Sequence, residues 1–174
     1  MTSRLVEFYA GSGSDGRGRT IDDVWSMSLD ELEYTHDYIQ WLFPLRERSS
    51  VEPLTPTLDD AAIAAFQTAE MQERLVRSAE TMAAFYGFQI QRAGPGWSLH
   101  LAANAAERQR VWLTPGNHNF LRLTRVMRSL ATLGHRDLSN AWLTMLRELY
   151  DRHASVIGTR TLQFWEAAPF PSSG

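Results

Sequence analysis

Ser28-Leu29-Asp30-Glu31-Leu32-Glu33-Tyr34-Thr35-His36-Asp37-Tyr38-Ile39-Gln40-Trp41-Leu42-Phe43-Pro44 is the stretch on which the fold class turns. Ser28 followed three residues later by Glu31 has capping-box spacing. Pro44 lacks the N–H a helix needs and clashes with the preceding turn. The pattern therefore predicts one helix from Leu29 to about Phe43. At 100° per residue, Leu29, Leu32, His36, Ile39 and Phe43 share one face, and Tyr34, Tyr38 and Trp41 form a second, aromatic one. Asp30, Glu33, Asp37 and Gln40 keep a narrow polar strip. A helix apolar around most of its circumference belongs inside a core or under a partner.

Outward from this segment, helix signals dominate. Thr57 with Asp60 predicts a short helix to about Phe66. Leu75, Ala79, Met82 and Tyr86 have helical spacing in a segment from about Ala69 to Tyr86, ended by Gly87. A further helix is expected from near Asn117 to Gly134, its core face Phe120, Leu123, Val126, Met127, Leu130 and Leu133. Another should run from about Leu138 to Ile157, with Leu138, Trp142, Met145, Leu149 and Val156 inward and Gly158 as its stop. Between Phe88 and Leu101 apolar residues alternate around Gly94-Pro95-Gly96, which predicts a small β-hairpin. A lone hairpin does not make a sheet-based fold. The expected class is all-α: a single-domain bundle of about five to seven helices, with room for one small hairpin near 88–101. One domain is expected over 1–174, its core about 8–165 and 166–174 a tail. Gly11 to Arg19 reads as a flexible glycine- and serine-rich loop, and Pro169 to Gly174 as a frayed end.

Composition narrows the function classes. At 174 residues, 44% hydrophobic, the chain can bury a core without crosslinks. It has no cysteine, which excludes disulfides, thiolate metal sites and a cysteine nucleophile. All 17 basic residues are arginine, and the formal net charge is -3, which argues against non-specific nucleic-acid binding. The lysine-free, alanine-rich usage suggests a GC-rich, bacterial-type genome. No signal peptide and no membrane-length apolar run is apparent, so a cytoplasmic location is expected. Phosphate-loop, dinucleotide and nucleophile-elbow motifs are missing, and no cofactor, metal or catalytic residue is expected.

Two groups of residues remain as candidate ligand contacts. His36 is either a paired core histidine or an acid-base group; Glu33 and His36 form one Glu-x-x-His element, half of what a di-iron bundle uses. His118, Asn119, Arg122 and Arg125 open the helix after Gly116. They form either an anion site at its N-terminus or an internal arrangement: Asn117 or Asn119 caps, and Arg122 pairs with Asp30, Glu33 or Asp37.

The segments from His36 to Pro44 and from His118 to Arg125, continuing through Ser129-Leu130 and Leu133-Gly134, together resemble the conserved region of the opioid growth factor receptor family. Phe8-Tyr9, Gly18-Arg19-Thr20, Pro53-Leu54-Thr55 and Phe85-Tyr86-Gly87 are similar to it at matching places. The resemblance runs from about Phe8 to Trp165 and covers only the N-terminal region of the animal members. It implies a helical, receptor-like domain; animal members are described as receptors for Met-enkephalin, associated with the nucleus and its membrane, and it supplies no catalytic residues. The leading expectation is a non-enzymatic module in which Tyr38, Gln40, Trp41, His118, Asn119, Arg122 and Arg125, with His36, hold a peptide, protein or small anionic ligand. The alternatives are an enzyme using His36 or His118 as acid-base residue, or an interaction module, homo-oligomer included, packing through Tyr34, Tyr38 and Trp41.

Overall fold

A computed structural model describes residues 3–50 and 52–171 of the chain; Ser172 to Gly174, expected to be non-structural, lie outside them. The order is α1 (Arg4–Ala10), α2 (Ile21–Trp25), α3 (Leu29–Tyr34), α4 (Ile39–Leu42), α5 (Asp60–Ala65), α6 (Ala69–Tyr86), β1 (Phe88–Ala93), β2 (Gly96–Leu101), α7 (Ala105–Trp112), α8 (Asn119–Thr132), α9 (Arg136–Ile157) and α10 (Thr159–Ala167). The all-α class with one hairpin is what the periodicity predicts. The ten helices among the described residues exceed the expected five to seven because α1, α2, α7 and α10 are short and α3 and α4 are two helices, not one.

That division corrects the reading of the deciding stretch. Ser28 and Glu31 do form the capping box. The helix then stops at Thr35, whose backbone is extended (φ -93°, ψ 129°). Two interactions of longer range explain the stop. The Tyr38 hydroxyl turns back and donates to the Leu32 carbonyl at 2.9 Å, satisfying an acceptor that helix continuation would have used. The Asp37 carboxylate is drawn to Arg17 and Arg19. With the rod broken, the helical-wheel faces do not exist: His36 is exposed in the connecting turn, and Tyr34 is 80% exposed while Tyr38 and Trp41 are buried. A joint Tyr34–Tyr38–Trp41 docking face is thereby excluded.

The chain divides into two compact units, residues 1–81 and 82–174. In the first, α1 packs on α4 and α5. Tyr9 is its polar hinge: the phenol donates to the Leu42 carbonyl, and lies 3.1 Å from Ser78 Oγ, which also accepts from the Trp25 indole at 3.0 Å. The loop over 11–19 is tied down rather than loose. Gly11 takes the left-handed conformation that ends α1 (φ 78°), and buried Asp15 accepts from the backbone N–H groups of Arg17 and Arg19 at 2.8 and 3.0 Å. Asp59, not Thr57, caps α5.

In the second unit α8 packs on α9, α9 on β2, and α10 on both long helices. The hairpin register pairs Phe88 with Leu101 and Ala93 with Gly96. Its core is an aromatic cluster of Tyr86, Phe88, Trp112 and Trp142, with centroids 5.2–6.2 Å apart and every pair edge-to-face except the tilted Tyr86–Phe88. Gly87 (φ +80°) is required between α6 and β1, since a Cβ there would stand 2.7 Å from the Ala105 Cα. The predicted core faces of α8 and the stripe of α9 are buried, except Val156, which is half-buried beyond a kink at His153. Gly158 ends α9, but α10 starts at once, and Pro169 is buried rather than frayed.

Candidate functional site

The candidate residues of the first unit have mostly internal partners. Trp41 is buried, packed edge-to-face on Phe8 at 5.5 Å with the Arg4 guanidinium 5.3 Å over its ring. Tyr38 is buried with its hydroxyl on Leu32. Gln40 is buried too, and its Oε1 makes no hydrogen bond among the described residues. His36 is the exposed member of the group.

Beside this segment lies a charge cluster that local periodicity could not reveal. Arg19 bridges two carboxylates, with Nε 2.6 Å from Asp15 Oδ2 and Nη2 2.7 Å from Asp37 Oδ1. Arg17 Nε adds a contact to Asp37 Oδ2 at 2.8 Å. Asp37, a candidate partner for Arg122 from sequence, thus serves Arg17 and Arg19. Burial acts to raise the Asp37 carboxyl, but the hydrogen bonds from Arg19 and Arg17 outweigh it and hold it below its ordinary value. Hydrogen bonds from Thr20 and Ser28 also lower Asp23 and Glu31 in their capping boxes. Burial pushes the Tyr9 phenol well above its usual range, against a smaller lowering by Ser78.

These directions fix the pH dependence. A carboxylate held low when folded stabilises fully above its unfolded pKa of about 4, and that contribution fades as pH falls through the folded value. A phenol held high stabilises below about pH 10, and its contribution fades as pH rises beyond. The melting temperature should therefore be flat through neutrality and fall below about pH 4 and above about pH 10. Asp37→Asn should flatten the acid limb and Tyr9→Phe the alkaline one; thermal scans from pH 2.5 to 11 check both.

In the second unit the start of α8 is built by asparagines. Asn117 Oδ1 accepts from the Asn119 backbone and side-chain amides, both at 3.0 Å, while its Nδ2 donates to Thr114 Oγ1 at 2.9 Å. Asn119 is buried, and its Oδ1 receives buried Arg122 Nη1 at 3.4 Å. Arg125 is half-buried further along. Of the four candidates here, His118 lines an open cleft.

That cleft lies between the start of α8 and α10, with a volume of about 210 Å³. Its wall is apolar at Phe120, Leu121 and Phe164, polar at Asn117, His118, Thr124 and Thr161, and carries one full charge, Arg160. Leu121 is 70% and Phe164 48% exposed. The Trp165 indole donates to the Phe120 carbonyl at 3.1 Å and stacks edge-on to the Phe120 ring at 5.7 Å, which fixes α10 against α8. The α10 wall escapes sequence reasoning because Gly158 reads as a terminus. The inward spacing of Ile157, Trp165 and Ala168 was the available signal.

This is a mainly helical domain with one small hairpin. The chain matches the family described as the opioid growth factor receptor conserved region over residues 7–168, and it belongs to that family. Over 124 residues, 67% of this chain, it is 41% identical to the opioid growth factor receptors of Rattus norvegicus and Homo sapiens. It is 33% identical to an opioid growth factor receptor-like protein 1 of Xenopus tropicalis, over 69% of this chain. The match spans about a fifth of the length of those relatives, between 17% and 23%. No solved structure matches. Among the described residues no helix is long and apolar enough to cross a membrane, and no group of three or more His, Cys, Asp or Glu could hold a metal ion.

Proposed function

We propose that this chain is a non-enzymatic binding module whose ligand, a short peptide or small molecule with an apolar body and an anionic end, occupies the α8–α10 cleft. The observation that carries this reading is the placement of Leu121. A leucine 70% exposed within the family motif has no packing role to explain it, and His118, Leu121 and Thr124 line the cleft together with Phe164 and Arg160. Exposed apolar side chains beside a few convergent polar groups are the usual make-up of a ligand site. Arg160, resting 5.8 Å over the Phe164 ring, is placed to meet a carboxylate. The volume holds one or two terminal residues of a peptide.

In this reading His118 touches the ligand, Asn119 and Arg122 hold the first turn, and Arg125 supports α8. Tyr38, Gln40 and Trp41 keep the first unit packed, and His36 is solvent-facing. The relatives are named as receptors for an opioid growth factor, and Met-enkephalin, with its Phe-Met-carboxylate end, is a suitable probe.

Titration calorimetry with Met-enkephalin and its C-terminal amide tests the proposal. The free acid should bind, the amide about tenfold more weakly, and Arg160→Ala should remove the difference, since charge-assisted hydrogen bonds contribute about 1.5–3 kcal/mol. Equal binding of acid and amide, or no loss in Leu121→Ala and Arg160→Ala, would overturn the site.

A further inference from the structure

A second, larger cleft of about 570 Å³ lies between the hairpin and α9 and shares no lining residue with the first. Five consecutive residues of β2, Trp97 to Leu101, form one wall; Ala141, Thr144, Met145 and Glu148 of α9 form the other. Its volume is in the range of small-molecule sites. Leu101 is 42% exposed into solvent, an apolar residue that hairpin packing leaves uncovered.

The polar lining is one-sided in charge. Glu148 is the only full charge among the lining residues. Ser98 Oγ and His100 Nε2 lie 2.9 Å apart and pair with each other on the face of β2 opposite Leu99 and Leu101. Thr144 Oγ1 donates to the Asn140 carbonyl at 3.0 Å, which leaves its oxygen as an acceptor. Two nearby cations do not cancel this. Arg92, the cross-strand neighbour of Trp97, is committed to that ring at 4.0 Å. Arg152 stands 3.8 Å from Glu148 with both side chains more than half exposed, a pair too long and too wet to hold the carboxylate. Neither lines the cleft.

We infer that the cleft between β2 and α9 is a second ligand site, for an organic monocation with an apolar body, its amine on Glu148 and its hydrocarbon on Leu99, Leu101 and Met145. The ammonium group donates to the Glu148 carboxylate and to the Thr144 oxygen. A ring or chain lies against the leucines and the Met145 sulfur, a soft partner for aromatic groups.

The test uses 2-phenylethylamine, with 3-phenylpropionate as the matched anion, titrated into the full chain while the amide and indole resonances of Trp97 and the amides of Leu99 to Leu101 are followed. The amine should saturate with a dissociation constant of about millimolar order for so few atoms, shift Trp97 and Leu101, and leave Leu121 and Phe164 unmoved. Glu148→Gln, an exposed substitution that spares the core, should weaken it about threefold, the usual effect of an exposed ion pair. Leu101→Ala should weaken it several-fold while the chain stays folded. The inference fails if the anion binds as well as the amine, if Glu148→Gln binds unchanged, if the shifts fall on the α8–α10 cleft, or if the amine gives no saturable shift well above that concentration.

Discussion

Trp112→Ala should destabilise the chain by about 4–5 kcal/mol, the upper part of the range for deleting a buried tryptophan. Three contributions are lost together. The fully buried indole leaves a void between Tyr86 and Phe88, whose rings meet it edge-on at 5.2 and 6.0 Å. Each such pair contributes about 0.5–1.5 kcal/mol beyond its area. The Tyr86 carbonyl loses the indole N–H it accepts at 3.1 Å and is left buried. Against a total stability of about 5–15 kcal/mol, the variant should be largely unfolded at modest urea. Trp142 provides the contrast. It is equally buried and belongs to the same cluster, but its Nε1 makes no hydrogen bond among the described residues. Trp142→Phe should therefore cost less than Trp112→Phe, because only the latter orphans an acceptor. Urea denaturation of the variants decides, and a Trp112→Ala loss under 2 kcal/mol would show that the cluster is not the core of the second unit.

Asp15→Ala should remove about 3–4 kcal/mol, far more than a loop aspartate ordinarily contributes, in the range for breaking a buried ion pair from one side. The carboxylate is fully enclosed and accepts three hydrogen bonds, two from backbone N–H groups and one from Arg19 Nε at 2.6 Å. Truncation orphans both amides. Arg19 keeps Asp37, so the guanidinium is not stranded, and this keeps the loss below the extreme of the range. Asp15→Asn retains an acceptor and should lose about half as much. Urea denaturation again reads the result; a loss below 1 kcal/mol for Asp15→Ala would mean that the loop over 11–19 is held by its glycine turns alone.

These two residues also show what the sequence makes legible. Long amphipathic helices announce themselves: α6, α8 and α9 occupy nearly the segments their periodicity predicts, because a stripe repeated over four or more turns outweighs local exceptions. The hairpin is legible from alternation and its Gly-Pro-Gly turn. The stop after Tyr34 is not, because its cause lies elsewhere in the chain: Asp37 is held by Arg17 and Arg19, and Tyr38 turns back onto Leu32. Local periodicity places Asp37 on the polar strip of a helix and His36 on its apolar face. The short helices α1, α2, α7 and α10 each offer too few turns for a period to emerge, and α10 carries half the proposed ligand wall. At α8 the segment from His118 to Arg125 mixes two environments. His118, Leu121 and Thr124 face the cleft, while Asn119 and Arg122 are buried, and periodicity alone places Leu121 among neither the core nor the candidates.

The most direct test of the binding site is a chemical-shift map of the labelled chain titrated with Met-enkephalin. Saturable shifts should cluster on His118, Leu121, Thr124, Arg160 and Phe164 and disappear in Arg160→Ala. Shifts spread over both units, or centred on residues far from the α8–α10 cleft, would contradict it.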